Sequence, residues 1–296
     1  MTEKPLITVI GSLNMDMVTT AKTMPREGET IHGESFKMVP GGKGANQAIA
    51  AARLGGHVQF IGMVGDDPFG HHLIKVLKNE GIKRNEVKIV PNTSTGVATI
   101  LLSENNNRII VTEGANGYVT KAYLEKLKER ILESTIVLIQ FEIPLEAIYY
   151  TLEICTQNNI QVVINPAPAK QLPTSMWKKA TFITPNETEL KELFTARARE
   201  HLGEKLIVTK GENGVVFKSH GEDIHIPSYP VEVVDTTGAG DTFNGAFVVA
   251  LTEGKSIKDS VNFANAAAAL SIKKFGAQGG VPNRIKLDEF LNRLRP

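Results

Sequence analysis

Cysteine is almost missing from this chain: Cys155 is the single one among 296 residues. No intrachain disulfide can form, which fits the reducing cytoplasm. Cys155 itself reads as a small residue on a helix face. Excess charge is missing too. The 33 basic and 32 acidic residues leave a net charge of +1, so no basic footprint points to nucleic acid. Pairs such as Lys178-Lys179 and Lys273-Lys274 read as solvated faces. No apolar run approaches the ~18 residues of a membrane span. No signal peptide is expected, because Leu6–Ile10 is strand-length and reaches Gly11 at once. No repeat, low-complexity tract or linker stands out. What remains is the composition of a globular enzyme, with 42% hydrophobic and 22% charged residues.

Strand and helix patterns alternate. Leu6–Ile10 reads as a buried strand, 45–54 as a small-residue helix closed by Gly55-Gly56, 58–63 as a strand and 68–80 as a helix closed by Gly81. Residues 120–133 read as a helix, 135–140 as a strand, 144–158 as a helix and 161–164 as a strand. A short strand at 181–184 leads into a helix near 186–194, and strands follow at 206–209 and 215–218. Helices at 242–251, 256–274 and 287–294 complete the pattern. This predicts one α/β domain over residues 1–296, a mainly parallel sheet with helices on both faces. Two segments break the alternation. Residues 15–20 and 30–39 look like strands with no helix between them, and 95–102 with 108–111 look like a hairpin around Glu104-Asn105-Asn106-Asn107. Segments near 15–40 and 95–112 therefore predict a small β-sheet that acts as a lid and excludes water.

The most informative stretch is Asp235-Thr236-Thr237-Gly238-Ala239-Gly240-Asp241. Gly238, Ala239 and Gly240 have almost no side chain, so their backbone N–H groups can approach a ligand closely. At a helix start those groups lack intrahelical partners and lie at the positive end of the dipole. That builds an anion hole. Asp241 adds a carboxylate to its rim. A carboxylate repels a phosphate, so it makes sense there if it takes a proton from an alcohol that attacks the phosphate. The pattern predicts phosphoryl transfer to a hydroxyl. The plain alternative is a helix cap on a tight turn. Asp235 lies at the other end of this turn, and Gly276, Gly279 and Gly280 let carbonyls turn inward. A carboxylate with converging carbonyls suits a monovalent cation, K⁺ above others.

Gly41-Gly42-Lys43-Gly44-Ala45-Asn46-Gln47-Ala48 is a second glycine turn entering a helix. It lacks the spacing and the final Lys-Ser/Thr of a P-loop. Lys43 and Asn46 offer donors beside bare backbone at Gly42, which suits a sugar. Acceptors are at hand in Asn14 and Asp16, just after the first strand, and Glu142, just after the strand ending at Gln140. All three fall at carboxyl ends of strands, where open α/β sheets bind ligands. Each alone also reads as a turn or surface residue. In Thr184-Pro185-Asn186-Glu187-Thr188-Glu189, Asn186 and Glu189 share one face of a helix start. The pair reads as a capping box, or as Asn186 near nucleotide phosphates and Glu189 near hydrated Mg²⁺. The turn Thr209-Lys210-Gly211-Glu212-Asn213-Gly214 follows a strand and can hold the nucleotide.

The two glycine motifs resemble the two signatures of the phosphofructokinase-B-type sugar kinases. Gly11-Ser12-Leu13-Asn14-Met15-Asp16, Asn165-Pro166-Ala167-Pro168-Ala169, Pro185-Asn186-Glu187-Thr188-Glu189 and Phe275-Gly276-Ala277-Gln278-Gly279-Gly280-Val281-Pro282 extend the resemblance from Val9 to about Pro282. It implies an α/β/α sandwich with a β-sheet lid, a homodimer clasped through the lids, and ATP-dependent phosphorylation of the 5-hydroxyl of ribose with Mg²⁺. Asn14, Asp16, Gly42, Lys43, Asn46 and Glu142 match the family's sugar contacts. Asp241 matches the catalytic base, and Gly238, Ala239 and Gly240 the anion hole. Asn186, Thr209, Gly211, Gly214 and Asn265 match nucleotide contacts, with Lys210, Glu212, Asn213 and Gly240 beside them. Asp235, Thr237, Ser271, Lys274, Gly276 and Gly280 match a monovalent-cation loop, several through backbone carbonyls. The chain departs from the family between Leu193 and Leu206, where a helix and its connections look trimmed at 195–203. Other sugars or a nucleoside remain alternative acceptors. A catalytically idle sugar or nucleotide sensor is the rival from another class, and the intact Asp241 argues against it.

Overall fold

The computed structural model describes residues 4–103 and 106–293. In chain order the first half runs β1 (Leu6–Ile10), β2 (Asn14–Thr20), β3 (Ser35–Gly41), α1 (Lys43–Arg53), β4 (His57–Gly65), α2 (Pro68–Asn79), β5 (Lys83–Val90), β6 (Gly96–Ser103), β7 (Asn106–Thr112), α3 (Lys121–Lys126), α4 (Lys128–Leu132) and β8 (Ile136–Gln140). The second half runs α5 (Leu145–Gln157), β9 (Gln161–Asn165), α6 (Thr174–Trp177), β10 (Phe182–Ile183), α7 (Glu187–Leu193), α8 (Ala196–Leu202), β11 (Ile207–Thr209), β12 (Val215–Ser219), β13 (Glu222–Ile226), α9 (Ala239–Thr252), α10 (Ile257–Ser271) and α11 (Arg284–Arg293).

Six strands form a parallel sheet in the order β10-β9-β8-β1-β4-β5. Its middle strands are mostly apolar because helices cover both faces. Along β1, Ile7 and Val9 join one buried cluster with α1, α9 and α10, and Ile10 joins the other with α5. Thr8 is buried among them and is satisfied by the Ser134 hydroxyl at 2.6 Å. Bridges Ile183 to Leu206 and Asn186 to Thr209 carry β11 alongside β10, and β11-β12-β13 continue as an antiparallel sheet. The strand order reverses at β1 and β8. In open α/β sheets the crevice at the carboxyl ends of such strands is the ligand site. Residues 11–14 leave β1 there, and Glu142 leaves β8.

The predicted accessory sheet is present as β3-β2-β6-β7. β6 and β7 pair antiparallel, as the hairpin reading requires; Glu104 and Asn105 of its turn lie outside the described residues. Across one face run Met38, Met17, Thr99 and Ile110 in register. Phe36, Met38 and Ile110 on that face are 57%, 56% and 67% exposed. Asp16, Val18, Val39 and Ile100 on the opposite face line a cleft of about 730 Å³. Its far wall is formed by residues 233–237 and 275–277.

Several elements differ from expectation. The strand expected over 30–39 begins only at Ser35. The helix expected over 120–133 breaks at Leu127, with Leu124 and Ile131 buried on either side. Leu294, expected to end the last helix, lies outside the described residues. β5 and β13 are additional: the charged residues of Lys83-Arg84-Asn85-Glu86 and of Glu222-Asp223 lie on edge strands and hide the apolar alternation. The segment expected to have lost a helix keeps a short one, α8, whose first turn is capped by the Thr195 hydroxyl.

Candidate active site

Close approach of α1 and α9 builds the centre. α1 is rich in Gly and Ala, and Gly245 of α9 faces it. A Cβ at 245 would lie 2.5 Å from the Gln47 carbonyl oxygen and 2.6 Å from the Ala50 Cβ. Glycine there lets the helices touch and brings Asn46 and Gln47 to Asp241. Asp241 is only 8% exposed. Asn46 Nδ2 donates to its Oδ2 at 3.0 Å, and Gln47 Nε2 donates to its Oδ1 at 2.9 Å. Buried carboxylates require such partners. Gln278 Nε2 donates to Asn46 Oδ1 at 2.9 Å and so turns the Asn46 amide nitrogen toward Asp241.

Asp241 stands in the first turn of α9. Gly238, at the N-cap, is left-handed with φ 77°, a conformation that favours glycine, and no side chain caps this end. The amide of Ala239 bonds to the Thr236 carbonyl at 3.2 Å. A pocket of about 190 Å³ opens at this helix end and is lined by Gly238, Ala239, Gly240, Asp241, Lys43, Asn186, Glu189 and Thr209, among others. Burial pushes the Lys43 ammonium down, but the carboxylates of Asp241, Glu142, Glu189 and Asp16 outweigh it and leave it raised. Lys43 is therefore a fixed cation beside an uncapped helix start, a combination suited to phosphate.

The sugar-side residues converge as well. The Oε2 atom of Glu142 accepts from Ser12 Oγ at 2.6 Å, Lys43 N at 3.1 Å and Asn14 Nδ2 at 3.4 Å. It caps α1 at the favourable end of the dipole. Asn14 Oδ1 accepts from Asn116 Nδ2 at 2.7 Å, and Asn116 also holds the Leu13 backbone through its Oδ1. Gly42 has φ 89°, and a Cβ there would meet the Asn14 amide nitrogen at 2.7 Å. Asp16 faces the cleft. Burial above all, then the Glu142 and Asp241 carboxylates, pushes its pKa up to about 7, with Lys43 opposing.

Among the residues expected to hold a nucleotide, Asn186 and Glu189 form the full capping box. Glu189 N donates to Asn186 Oδ1 and Asn186 N to Glu189 Oε2, both at 2.9 Å. Both also line the pocket at the start of α9, so the capping role leaves them facing the same space as Lys43 and Asp241. The Lys210–Gly214 turn closes on itself through Lys210 N and the Gly214 carbonyl at 2.7 Å. Gly211 and Gly214 are left-handed at φ 53° and 81°. Glu212 and Asn213 present carbonyls to Ser228 and His225. Asn265, on α10, donates to the Pro227 carbonyl at 2.7 Å, and Pro227 also abuts Gly214. Asn265 thus adjoins this turn from behind.

The expected cation loop is brought together in part. Asp235 Oδ1 accepts from Thr237 N at 2.9 Å and Oδ2 from Gly276 N at 2.8 Å. Burial raises the Asp235 carboxyl, but the hydrogen bonds from Gly276 and Thr237 outweigh it and hold it below the usual carboxylate value. Gly280 lies against the Ser271 carbonyl, where a Cβ would stand 1.7 Å from the oxygen. Lys274 is exposed in the same turn. Among the described residues no three His, Cys, Asp or Glu side chains cluster as a metal cage.

Sequence reasoning assigned no role to Gln47, Gln140, Gln278, Asn116 or Asn244, all of which are buried in the site's hydrogen-bond network. A signal existed: Gln140 ends an apolar strand and Gln47 interrupts an alanine-rich helix, and buried polar groups need partners.

The model of the pfkB family carbohydrate kinases matches residues 4–284. A ribokinase from Bacillus subtilis is 47% identical over 290 residues, covering 97% of this chain and 99% of that protein. A ribokinase from Lactococcus lactis is 48% identical over 295 residues, covering 98% and 97%. The solved structure of Arabidopsis thaliana ribokinase complexed with ribose and ATP superposes with a TM-score of 0.88 at 32% identity, covering 98% of this chain and 99% of that one.

Proposed function

The chain belongs to the pfkB family of carbohydrate kinases, and from that premise we propose that it transfers the γ-phosphoryl group of ATP to the 5-hydroxyl of D-ribose. It is a phosphotransferase with an alcohol group as acceptor. The observation that carries the assignment of roles is the placement of buried Asp241 in the uncapped first turn of α9, in one pocket with Lys43.

Asp16, Asn14 and Glu142 hold the sugar hydroxyls from the strand ends, and Lys43, Asn46 and the Gly42 backbone hold them from α1. Asp241 aligns the attacking hydroxyl and takes its proton late. Phosphoryl transfer passes through a loose transition state with charge on the equatorial oxygens, so a weak base suffices. The amides of Gly238 and Gly240 stabilise that charge, and the Ala239 amide between them is held by the Thr236 carbonyl. Asn186, Thr209, the 210–214 turn and Asn265 hold the nucleotide. Closure of the small sheet over the cleft keeps water from competing as acceptor.

Mg²⁺ fits the donor set as an ion carried on substrate phosphates and water, with Glu189 as its outer partner, since no protein cage exists among the described residues. Bound there, it neutralises phosphate charge. K⁺ fits beside the ionised Asp235 with carbonyls from the turn holding Ser271, Lys274, Gly276 and Gly280, and Thr237 next to it. The amides at the start of α9 face the phosphate when that loop is held firmly. The exposed apolar row of Phe36, Met38 and Ile110 fits a second copy of the chain, giving a homodimer joined through the small sheets.

Turnover of ATP against ribose, deoxyribose, hexoses and nucleosides tests the reading. Ribose is expected to give the highest kcat/KM; a preferred nucleoside, or no acceptor-dependent turnover at all, overturns it.

A further inference from the structure

A buried chain of side-chain amides stands behind Asp241. Gln140 Nε2 donates to Gln47 Oε1 at 2.6 Å. Gln47 Nε2 then donates both to Asp241 Oδ1 at 2.9 Å and to Asn165 Oδ1 at 3.0 Å. Asn165 Nδ2 donates to the Thr184 carbonyl at 3.2 Å, and the Thr184 hydroxyl donates to Asn244 Oδ1 at 2.6 Å. Asn244 Nδ2 returns to the Gly240 carbonyl at 2.8 Å. The chain closes on the residue next to Asp241. Gln47 and Gln140 are both 0% exposed.

We propose that Gln47 is a positioning residue that fixes the Asp241 carboxylate for proton transfer, with Gln140 setting the orientation of the Gln47 amide. This rests on the reading of Asp241 as the base. An ionised carboxylate only accepts hydrogen bonds, so the Gln47 group facing it is the NH₂. Its carbonyl then faces Gln140, which must present its own NH₂. This orientation satisfies Gln47 at both ends and leaves Gln140 Oε1 as the one buried atom of the row without a hydrogen-bond partner. Gln140 is in turn held against bare backbone, since a Cβ at Gly11 would lie 2.1 Å from Gln140 Oε1. Asn46 bonds the other oxygen of Asp241 and also belongs to the sugar-binding set, so it is not free to act as a fixed anchor. Gln47 lines neither the cleft nor the pocket, and its NH₂ is shared between Asp241 and Asn165. The same row reaches Gly240, so base and anion-hole backbone share one scaffold.

Two variants of similar volume test this. Gln47→Met removes the donor. Its kcat should fall about 10–100-fold, the equivalent of one lost charge-assisted hydrogen bond. Its KM for ribose and ATP should stay near wild type, while its thermal midpoint should fall, because Gln140 and Asn165 lose a buried partner. Gln47→Glu places a second carboxyl against Asp241, and such a pair retains one shared proton. Its activity should recover as the pH is lowered, because the protonated carboxyl can donate, whereas Gln47→Met should show no such recovery. Gln140→Leu should give a smaller fall in kcat. Wild-type kcat in Gln47→Met, or identical pH profiles for the two Gln47 variants, would overturn the proposal. Asp241→Asn separates the two levels. If it is inactive while Gln47→Met is normal, the positioning role alone fails; if it keeps wild-type kcat, the base reading fails.

Discussion

Gly276 donates its backbone N–H to Asp235 Oδ2 at 2.8 Å, tying the loop after α10 to the turn before α9. Beside this bond Gly238 rests on Ala277, where an added Cβ would meet the Ala277 Cα at 2.7 Å. Whatever orders the Asp235 loop therefore orders the amides at the start of α9. Activity should rise with K⁺ and much less with Na⁺ at matched ionic strength. Asp235→Ala should abolish the difference. Equal rates in K⁺, Na⁺ and a bulky organic cation would rule the site out.

Asp241→Asn keeps the size of the side chain and removes the base. The kcat should fall about 10²–10⁴-fold with little change in KM. Steady-state kinetics that return near wild-type kcat would sink the assignment.

Asp16 gives a pH dependence with a definite sign. Its pKa is raised to about 7, so its ionised form grows in as the pH passes through neutrality. In the proposed role of Asp16, sugar hydroxyls donate to that form. Ribose affinity measured by calorimetry should strengthen from below pH 7 to above it and then level off, and Asp16→Asn should flatten the curve. Stability carries the opposite sign. A carboxyl raised from 3.8 to about 7 makes folding less favourable as the pH rises across that interval. A pH-independent ribose affinity in the wild type would remove Asp16 from the sugar contacts.

The outward face of the small sheet should control assembly. Ile110→Lys places a charge in the exposed apolar row, and light scattering at micromolar concentration should show a dimer for the wild type and a monomer for the variant. A fully active wild-type monomer would refute this.

Gly245→Ala should loosen the contact of α1 with α9. The added methyl meets backbone at 2.5 Å, and overpacking of this kind costs about 1–3 kcal/mol. Thermal unfolding should show a lowered midpoint, with kcat falling as Gln47 and Asn46 move from Asp241. An unchanged midpoint would mean the helices yield freely there.

Much of this was legible in the sequence because it is local. The turn from Asp235 to Asp241 and the one from Gly41 to Asn46 each carry their glycine, their donors and their helix start within a few residues. β1, β8 and β9 read as strands because each is a short run dominated by Val, Ile and Leu. Legibility failed where meaning depends on distant partners. Gln47, Gln140 and Gln278 lie on different elements and acquire a role only when the sheet and α1 bring them together. β5 was hidden because Lys83, Arg84 and Glu86 occupy an edge, where charge is tolerated. The break at Leu127 leaves no mark, since neither Gly nor Pro stands there.

The pairing of β2 with β6 is parallel and begins with Asn14 beside Gly96, so no hairpin can nucleate it. Closing so long a loop is slow, and such contacts follow local ones. The central sheet must first hold the ends of β1 and β5 in place. In refolding, the cleft around Asn14 and Asp16 should accordingly mature after the pocket at the start of α9. Pulsed hydrogen exchange should find the amides that bond β2 to β6 protected later than those that bond β2 to β3, and the reverse would contradict that order of assembly.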